Sequence, residues 1–374
     1  MTKDAVFLRP RLIGPRFEGH VVPLEFLKDL AEFEEMVIEV AKWKYLQANP
    51  GRQRVPRRFG EGMELALAAV ESGSAVPVIV LSARSAHLQN RLYAEMARDA
   101  IIQAIDSMEK GCYSEGILPE KSLGYFDRIG RSLRDEECIE FLKPDATEGA
   151  KLSREVRRRL LLASQSVREW TEETSVRGRI PEVDQDERSF QIQLVDGRKL
   201  RAPLPIEHAD TVMTAFNAYK EGVFVLLHGI GRFSRQNTLL SFDSIQRFIL
   251  LDPLDAGVRI DELRLLKDGW LDGEGLAPDP EGLSWLANAF DTSFPDDLPL
   301  PYLYPTPEGG IQAEWSLDGR EIELEIDLKT REGECRSCDA EGDGEDSTLP
   351  IDLNSPEGWG LLGEEIHRIT GGAQ

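Results

Sequence analysis

The sequence from Ile311 to Asp327, IQAEWSLDGREIELEID, carries the strongest structural signal in the chain. Apolar and polar residues alternate on both sides of the Asp-Gly pair at 318–319, and a period of two is typical of half-buried strands. Asp-Gly is also a favoured pair in two-residue hairpin loops. The sequence therefore predicts an antiparallel hairpin in which Leu317 pairs with Arg320.

The register of this hairpin divides its side chains between two faces. Counting outward from the loop places Trp315 opposite Ile322. It also places Glu314 opposite Glu323. One face is apolar and is expected to be buried: Ile311, Ala313, Trp315, Ile322, Leu324 and Ile326. The opposite face is acidic: Glu314, Glu321, Glu323, Glu325 and Asp327.

Three interpretations of the acidic face remain open. Like charges directly across a ladder cost on the order of 0.2–1 kcal/mol, so something is expected to offset them. Solvent, salt and nearby Arg or Lys side chains are the first possibility. A docking surface for a basic patch of another protein is the second. The third is a metal site or an acid/base pair of carboxylates, and a hydrolase with a bound divalent metal would use Glu314, Glu323 and Glu325 as ligands.

Charge and composition narrow the classes of function. The 374 residues carry a formal net charge of -23. From Asp296 to Gln374 there are 20 acidic and 5 basic residues, so most of the excess lies in the last fifth of the chain. Such a balance disfavours unaided binding to the nucleic-acid backbone and to anionic membranes.

Targeting signals and disulfide patterns are not evident in the sequence. No apolar run approaches the roughly 20 residues that span a bilayer, and the N-terminus lacks an apolar signal-peptide core. Four cysteines in a chain of this length fit a reducing compartment better than a disulfide scaffold. We therefore expect a cytoplasmic protein that carries no cofactor.

The order of segments predicts a mixed α+β fold in three parts. Residues 1–170 combine amphipathic helices with a hairpin and form an N-terminal α+β domain. Residues 175–252 contain several short strands with polar turns, which indicates a small β-barrel-like module. Residues 254–374 form an acidic C-terminal α+β module that contains the antiparallel hairpin.

Local patterns add detail to these parts. Residues 26, 30, 33, 37 and 40 are apolar at steps of four and three, and they predict one long amphipathic helix. A second helix is predicted over Leu152–Val167. The polar, Gly-rich segment Gly333–Thr348 is predicted to be a mobile loop.

Four arginines provide an alternative function. Arg54, Arg57 and Arg58 cluster in a predicted loop, and Arg158 lies on the predicted helix. Together with the β-rich module they form a hypothetical nucleic-acid-binding surface, although a basic groove with stacking aromatic residues is not obvious. A solvated loop is the simpler interpretation of the cluster.

Catalytic and metal-binding motifs are missing or incomplete. Cys335 and Cys338 have the spacing of a metal knuckle, but no second pair of ligands accompanies them. None of the five histidines belongs to a metal-binding motif, and no P-loop or nucleophile elbow is present. The sequence therefore favours a non-catalytic role, with the carboxylate-metal hydrolase as an alternative.

The C-terminal third also contains a recurrent pattern. It begins at residues 268–273 with DGWLDG and continues at residues 298–315 with LPLPYLYPTPEGGIQAEW. This resembles uncharacterised bacterial proteins that combine a GWDG start with a PTPxGGxxxEW hairpin. The inserted Leu271 departs from the first motif. The resemblance implies a bacterial origin and a module that recurs beside other domains.

Together these observations favour a protein-binding component that uses the acidic face to dock a basic partner protein. An accessory or neutralising subunit of a bacterial toxin–antitoxin or phage-defence pair is the leading hypothesis. A nucleic-acid-associated factor and a metal-dependent hydrolase are the alternatives.

Overall fold

Helices and antiparallel sheets share the chain, which confirms the mixed α+β fold. The computed structural model describes residues 6–61, 63–71, 75–83, 88–144, 146–317, 319–339 and 347–371. The helices are α1 (Leu24–Ala48), α2 (Leu88–Glu109), α3 (Glu120–Leu123), α4 (Arg154–Ala163), α5 (Ala209–Asn217), α6 (Ala256–Leu263), α7 (Pro280–Thr292) and α8 (Pro356–Gly371). The strands are β1 (Val6–Ile13), β2 (Met63–Glu71), β3 (Val76–Ala83), β4 (Cys138–Leu142), β5 (Ala150–Ser153), β6 (Glu169–Asp184), β7 (Ser189–Leu194), β8 (Lys199–Pro203), β9 (Val225–Ser234), β10 (Leu239–Leu250), β11 (Tyr302–Pro305), β12 (Ile311–Leu317), β13 (Arg320–Asp327), β14 (Glu332–Asp339) and β15 (Ser347–Asp352).

The chain divides into two compact units. The first comprises Met1–Thr174 and Ile230–Ser241, and the second comprises Ser175–Gly229 and Phe242–Gln374. The division into the three parts 1–170, 175–252 and 254–374 stays a prediction.

The first unit contains a five-stranded antiparallel sheet in the order β2-β3-β1-β4-β5. Helices α1 and α2 share one hydrophobic core with this sheet. The predicted apolar face of α1 is confirmed, because Phe26, Phe33 and Val40 are buried in that core. A row of alanines on α2, including Ala97 and Ala104, is also fully buried and lets the two helices pack closely.

The prediction of a helix over Leu152–Val167 is wrong at both ends. Leu152 belongs to β5, and α4 begins only at Arg154. Ser153 ends the strand and starts the helix, since its hydroxyl accepts a hydrogen bond from the backbone N–H of Val156 at 3.3 Å. A serine in this position satisfies an otherwise unpaired helix N–H, and here that signal defines the boundary.

Strands β6–β10 follow the order β10-β8-β7-β6-β9, a barrel-like ring. Strands β6 and β7 pair antiparallel, with Gly178 opposite Leu194. The turn from β7 to β8 contains Gly197 at φ 85°, a backbone conformation that glycine adopts without steric penalty.

The second unit contains the C-terminal sheet, in which β11–β15 lie in sequence order and every neighbouring pair is antiparallel. The predicted hairpin forms the centre of this sheet. Helices α6, α7 and α8 share a hydrophobic core with one face of it. This arrangement leaves the opposite face of the sheet to carry the polar side chains.

The predicted mobile loop at Gly333–Thr348 is wrong where the structure describes it. Strand β14 covers Glu332–Asp339 and β15 begins at Ser347, while residues 340–346 lie outside the described part. The inward positions of β14 include Cys335 and Ser337, which are 2% and 5% exposed. Because these inward residues are small or weakly polar, the apolar–polar alternation of β14 is not visible in its hydrophobicity pattern.

One edge of the C-terminal sheet is formed by β11, which begins after Pro301. Residues 301, 303 and 305 point their backbone groups in the same direction, because orientation alternates along a strand. The Arg259 Nε donates a hydrogen bond of 2.9 Å to the Leu303 carbonyl, so these groups point away from β12. Pro301 and Pro305 have no N–H to offer on that side.

Candidate protein-docking surface

The predicted register of the β12–β13 hairpin is confirmed. Leu317 pairs with Arg320, Trp315 with Ile322, and Glu314 with Glu323. The predicted apolar face is buried, with no residue of it more than 3% exposed: Ile311, Ala313, Trp315, Ile322, Leu324 and Ile326. Asp318 itself lies outside the described residues. The Trp315 Nε1 donates to the Pro299 carbonyl at 2.8 Å, which satisfies the one polar atom of this buried ring.

The acidic face is wider than the hairpin, because β14 and β15 continue it. Glu325 stands directly opposite Glu334 on β14. Asp327 stands opposite Glu332, which in turn lies opposite Asp352 on β15. The acidic face is therefore defined by Glu314, Glu321, Glu323, Glu325, Asp327, Glu332, Glu334 and Asp352.

Arg336 is the basic residue that lies within the acidic face. It stands opposite Glu323 and donates to the Glu334 carboxylate at 3.0 Å. Its hydrogen bond and ion pair with Glu334, and the charges of Glu325 and Glu323, raise the pKa of the Arg336 guanidinium. Arg336 thus relieves part of the repulsion between the carboxylates, which is what the first interpretation of the acidic face expects. Most of the carboxylates of the face are not paired with it.

Repulsion between carboxylates is felt most clearly at Glu314. Partial burial, followed by the charges of Glu323 and Glu321, raises the pKa of its carboxyl group. Its remaining partner is the Gln312 amide, which donates a 2.9 Å hydrogen bond. The face therefore holds negative charge at some cost to stability.

Asp327 has a structural task in addition to its place on the face. Its carboxylate accepts hydrogen bonds from the backbone N–H groups of Lys329 (2.7 Å) and Thr330 (2.9 Å). These bonds lower the pKa of the Asp327 carboxyl group and close the turn between β13 and β14. Asp327 is consequently a poorer candidate for partner contacts than the glutamates.

Two tyrosines border the acidic face on β11. Tyr302 lies opposite Glu314 and Tyr304 lies opposite Gln312. Their residues are 53% and 42% exposed, which is high for aromatic side chains. Their position was not predicted from the sequence, although the alternation in Tyr302-Leu303-Tyr304 is the pattern that places them on the outer face.

A pocket of about 490 Å³ opens beside these tyrosines within the second unit. Phe224, Leu251 and Val258 provide apolar lining, and Tyr302 and Tyr304 contribute to its wall. Its charged lining residues are Glu221, Asp252, Asp255, Glu262 and Arg259. Arg259 already donates to Glu262 at 2.6 Å, so the remaining charge of the pocket is negative.

Among the described residues, no cluster of potential ligands supports the interpretation of the acidic face as a metal site. No group of three or more His, Cys, Asp or Glu side chains there is placed to hold a metal ion. Burial, with a smaller effect of Glu365, raises the pKa of the Cys335 thiol to about 11, which disfavours the thiolate form needed for metal binding. The side chain of Cys338 lies outside the described residues.

The four predicted nucleic-acid contacts fall on two elements. Arg54, Arg57 and Arg58 are exposed in the loop after α1, whereas Arg158 is half-buried on α4. Of the four, Arg54 lines a groove together with Lys42 and Lys121. Arg158 is not among the lining residues of that groove.

A comparison with models of protein families, with curated proteins and with solved structures finds no match to this chain. No helix among the described residues is both long and apolar enough to cross a bilayer.

Proposed function

We propose that this protein is a non-catalytic protein-binding component whose acidic face docks a basic surface of a partner protein. The observation that carries the proposal is the strand register, which aligns carboxylates from four adjacent strands on one exposed face with Arg336 among them. Charge of one sign, concentrated on a rigid sheet, steers an oppositely charged partner and fixes its orientation.

The tyrosines and the pocket support a protein partner over a simple counterion. Exposed Tyr side chains are enriched among the residues that contribute most to protein–protein affinity. Tyr302 and Tyr304 lie between the acidic face and the pocket. A partner segment that carries Lys or Arg next to an apolar side chain would complement both features.

We propose further that such a subunit acts in a bacterial two-protein system. An acidic subunit that covers a basic surface resembles the neutralising or accessory member of a bacterial toxin–antitoxin or phage-defence pair. We infer from the motifs at residues 268–273 and 298–315 that the C-terminal part is a recurrent bacterial module, and this inference favours such a system. It predicts that the partner is a basic protein.

Native co-purification with charge-reversal variants tests the proposal. Glu321→Lys combined with Glu325→Lys changes two exposed positions of the acidic face. We expect the tagged parent chain to recover a basic protein from its native cells, and we expect this variant to lose it. The recovered protein is identified by mass spectrometry.

A matched control separates the face from net charge. Glu207→Lys combined with Glu364→Lys makes the same change in charge at two exposed positions of the second unit that lie off the sheet. This variant is expected to retain the partner. If both variants lose the partner equally, or if the parent chain recovers no basic protein, the docking role of the acidic face is wrong.

A further inference from the structure

One segment of this acidic chain is strongly basic. Residues 40–60 carry six basic side chains and no carboxylate, in a protein of formal net charge -23. They occupy the last turns of α1 and the loop that follows it. The six are Lys42, Lys44, Arg52, Arg54, Arg57 and Arg58. A local run of cations in an anionic chain indicates a ligand that carries negative charge.

A groove of about 560 Å³ lies against this segment within the first unit. Three cations and two aromatic rings line it: Lys42, Arg54, Lys121, Trp43 and Tyr125. Within the described part of the chain, the side chains of Arg54 and Lys121 have no ion-pair or hydrogen-bond partner. Lys42 pairs with Glu39, the one acidic residue of the lining. Two cations are therefore available to an anionic ligand.

Positive charge continues outside the groove. The Lys44 Nζ lies 4.7 Å from the centroid of the Trp43 ring, and the Arg52 guanidinium lies 5.9 Å from that of Tyr45. Arg57 is exposed in the same loop and has no partner among the described residues. Positive charge thus extends beyond the lining of the groove.

We propose that this groove binds single-stranded nucleic acid. An unpaired base stacks against the Trp43 or Tyr125 ring, and Arg54 and Lys121 neutralise the adjoining phosphates. Aromatic rings combined with unpaired cations are the chemistry that binds single strands without reading their sequence. A groove of this volume admits one nucleotide, and the cations beyond it favour a strand over a mononucleotide.

Fluorescence anisotropy of a labelled oligonucleotide of about 20 thymidines, titrated with the full chain at low salt, tests the proposal. We expect saturable binding that weakens as salt rises. Arg54→Ala combined with Lys121→Ala removes two phosphate contacts from exposed positions, so folding is preserved. We expect the slope of log affinity against log salt to fall by about 1.4.

A second variant tests whether a base stacks on the Trp43 ring. Trp43→Ala is expected to weaken binding roughly 10-fold or more, and Trp43→Phe to restore most of it, because any aromatic ring supplies a stacking face. Trp43 is half-buried, so the Arg54 and Lys121 variant remains the decisive one if Trp43→Ala does not fold.

Arg168→Ala combined with Lys199→Ala is the matched control, since it removes the same charge from exposed positions that do not line the groove. It is expected to bind like the parent chain. Absence of binding at low salt, or equal weakening in this control, overturns the proposal. Competition by ATP or by polyglutamate as strong as that by unlabelled oligonucleotide also overturns it, in favour of a mononucleotide or an acidic peptide.

Discussion

Asp29 is a buried carboxyl group with a marked shift in its titration. Burial raises the pKa of Asp29 to about 7, against the effects of a 2.8 Å hydrogen bond from the Gly130 N–H and of the nearby Arg157 charge. The folded chain thus holds this proton up to a much higher pH than the unfolded chain does. Stability contributed by the protonated form is complete below about pH 4 and is lost as pH rises to about 7.

Replacing Asp29 makes the coupling between its protonation and the stability of the fold measurable. Asp29→Asn keeps an oxygen that can accept from Gly130 but does not titrate. We expect the free energy of unfolding of this variant, minus that of the parent, to rise by about 1.4 kcal/mol per pH unit between pH 4 and 7, and then to level off. Urea unfolding at several pH values measures it.

Asp186→Asn, at an exposed position, is the matched control for this series. Its difference from the parent chain is expected to stay flat over the same pH range. A flat difference for Asp29→Asn as well would show that Asp29 titrates alike in the folded and unfolded chains.

Glu314 allows the cost of the acidic face to be measured. Glu314→Gln removes the like-charge contact with Glu323 and keeps an acceptor for the Gln312 amide. We expect a gain of a few tenths of a kcal/mol in the free energy of unfolding at pH 7. Because the pKa of Glu314 is raised in the folded chain, the gain shrinks as pH falls and the parent carboxyl group takes up its proton.

Glu321→Gln is the natural comparison, because Glu321 faces Ser316 and Cys338 across the sheet and no acidic residue. Its gain is expected to be smaller. Equal gains in the two variants would indicate general repulsion across the face and would argue against a specific pair.

At the scale of an element, two glycines of α8 differ in their surroundings, because one is tightly packed and the other faces open space. In α8, a Cβ added to Gly358 would lie 1.8 Å from the Asp352 carbonyl oxygen, whereas one added to Gly360 would meet nothing within 4 Å. We expect Gly358→Ala to cost roughly 1–3 kcal/mol, since backbone must move. Gly360→Ala is expected to gain up to about 1 kcal/mol from helix propensity.

Thermal unfolding followed by circular dichroism compares the two variants with the parent chain. Both substitutions change helix propensity in the same way, so their difference isolates the contact with β15. A Gly358→Ala chain as stable as Gly360→Ala would show that the start of α8 moves away from β15 without loss.

The hairpin was predictable because a two-residue loop fixes the register and the apolar residues alternate strictly on both arms. Strand β14 was not, because Cys335 and Ser337 occupy its inward positions. Helix α6 starts with an Asp255 cap and packs Gly257 against Arg177. This tertiary contact cannot be predicted from a local sequence pattern. The acidic residues of the hairpin were therefore identified from sequence, while the tyrosines, the pocket and the basic groove required the fold.

Arg157 shows a further limit of sequence reasoning. Arginine is seldom buried, yet Arg157 is 0% exposed, and it donates to the backbone carbonyls of Asp127 (2.8 Å) and Thr171 (2.7 Å). Burial lowers the pKa of its guanidinium to about 10. In a run of three arginines, only the packing of α4 decides which one enters the core.

At the scale of the whole molecule, the C-terminal module contains its own hydrophobic core. Every residue of that cluster lies between Ala256 and Ile366. We predict that a fragment of residues 254–374 folds alone, with a cooperative thermal transition and dispersed amide resonances. A broad, non-cooperative transition would show that the fragment depends on the rest of the second unit, for instance on Arg177, which pairs with Asp255 at 3.3 Å.

The outer edge of β11 also limits how molecules of this protein meet one another. An approaching strand finds prolines at 301 and 305 and a carbonyl at Leu303 already occupied by Arg259. Fibril growth by main-chain ladders is therefore discouraged at this edge. A partner that binds the neighbouring acidic face must therefore be recognised by side chains. Side-chain contacts are more selective than main-chain pairing between strands.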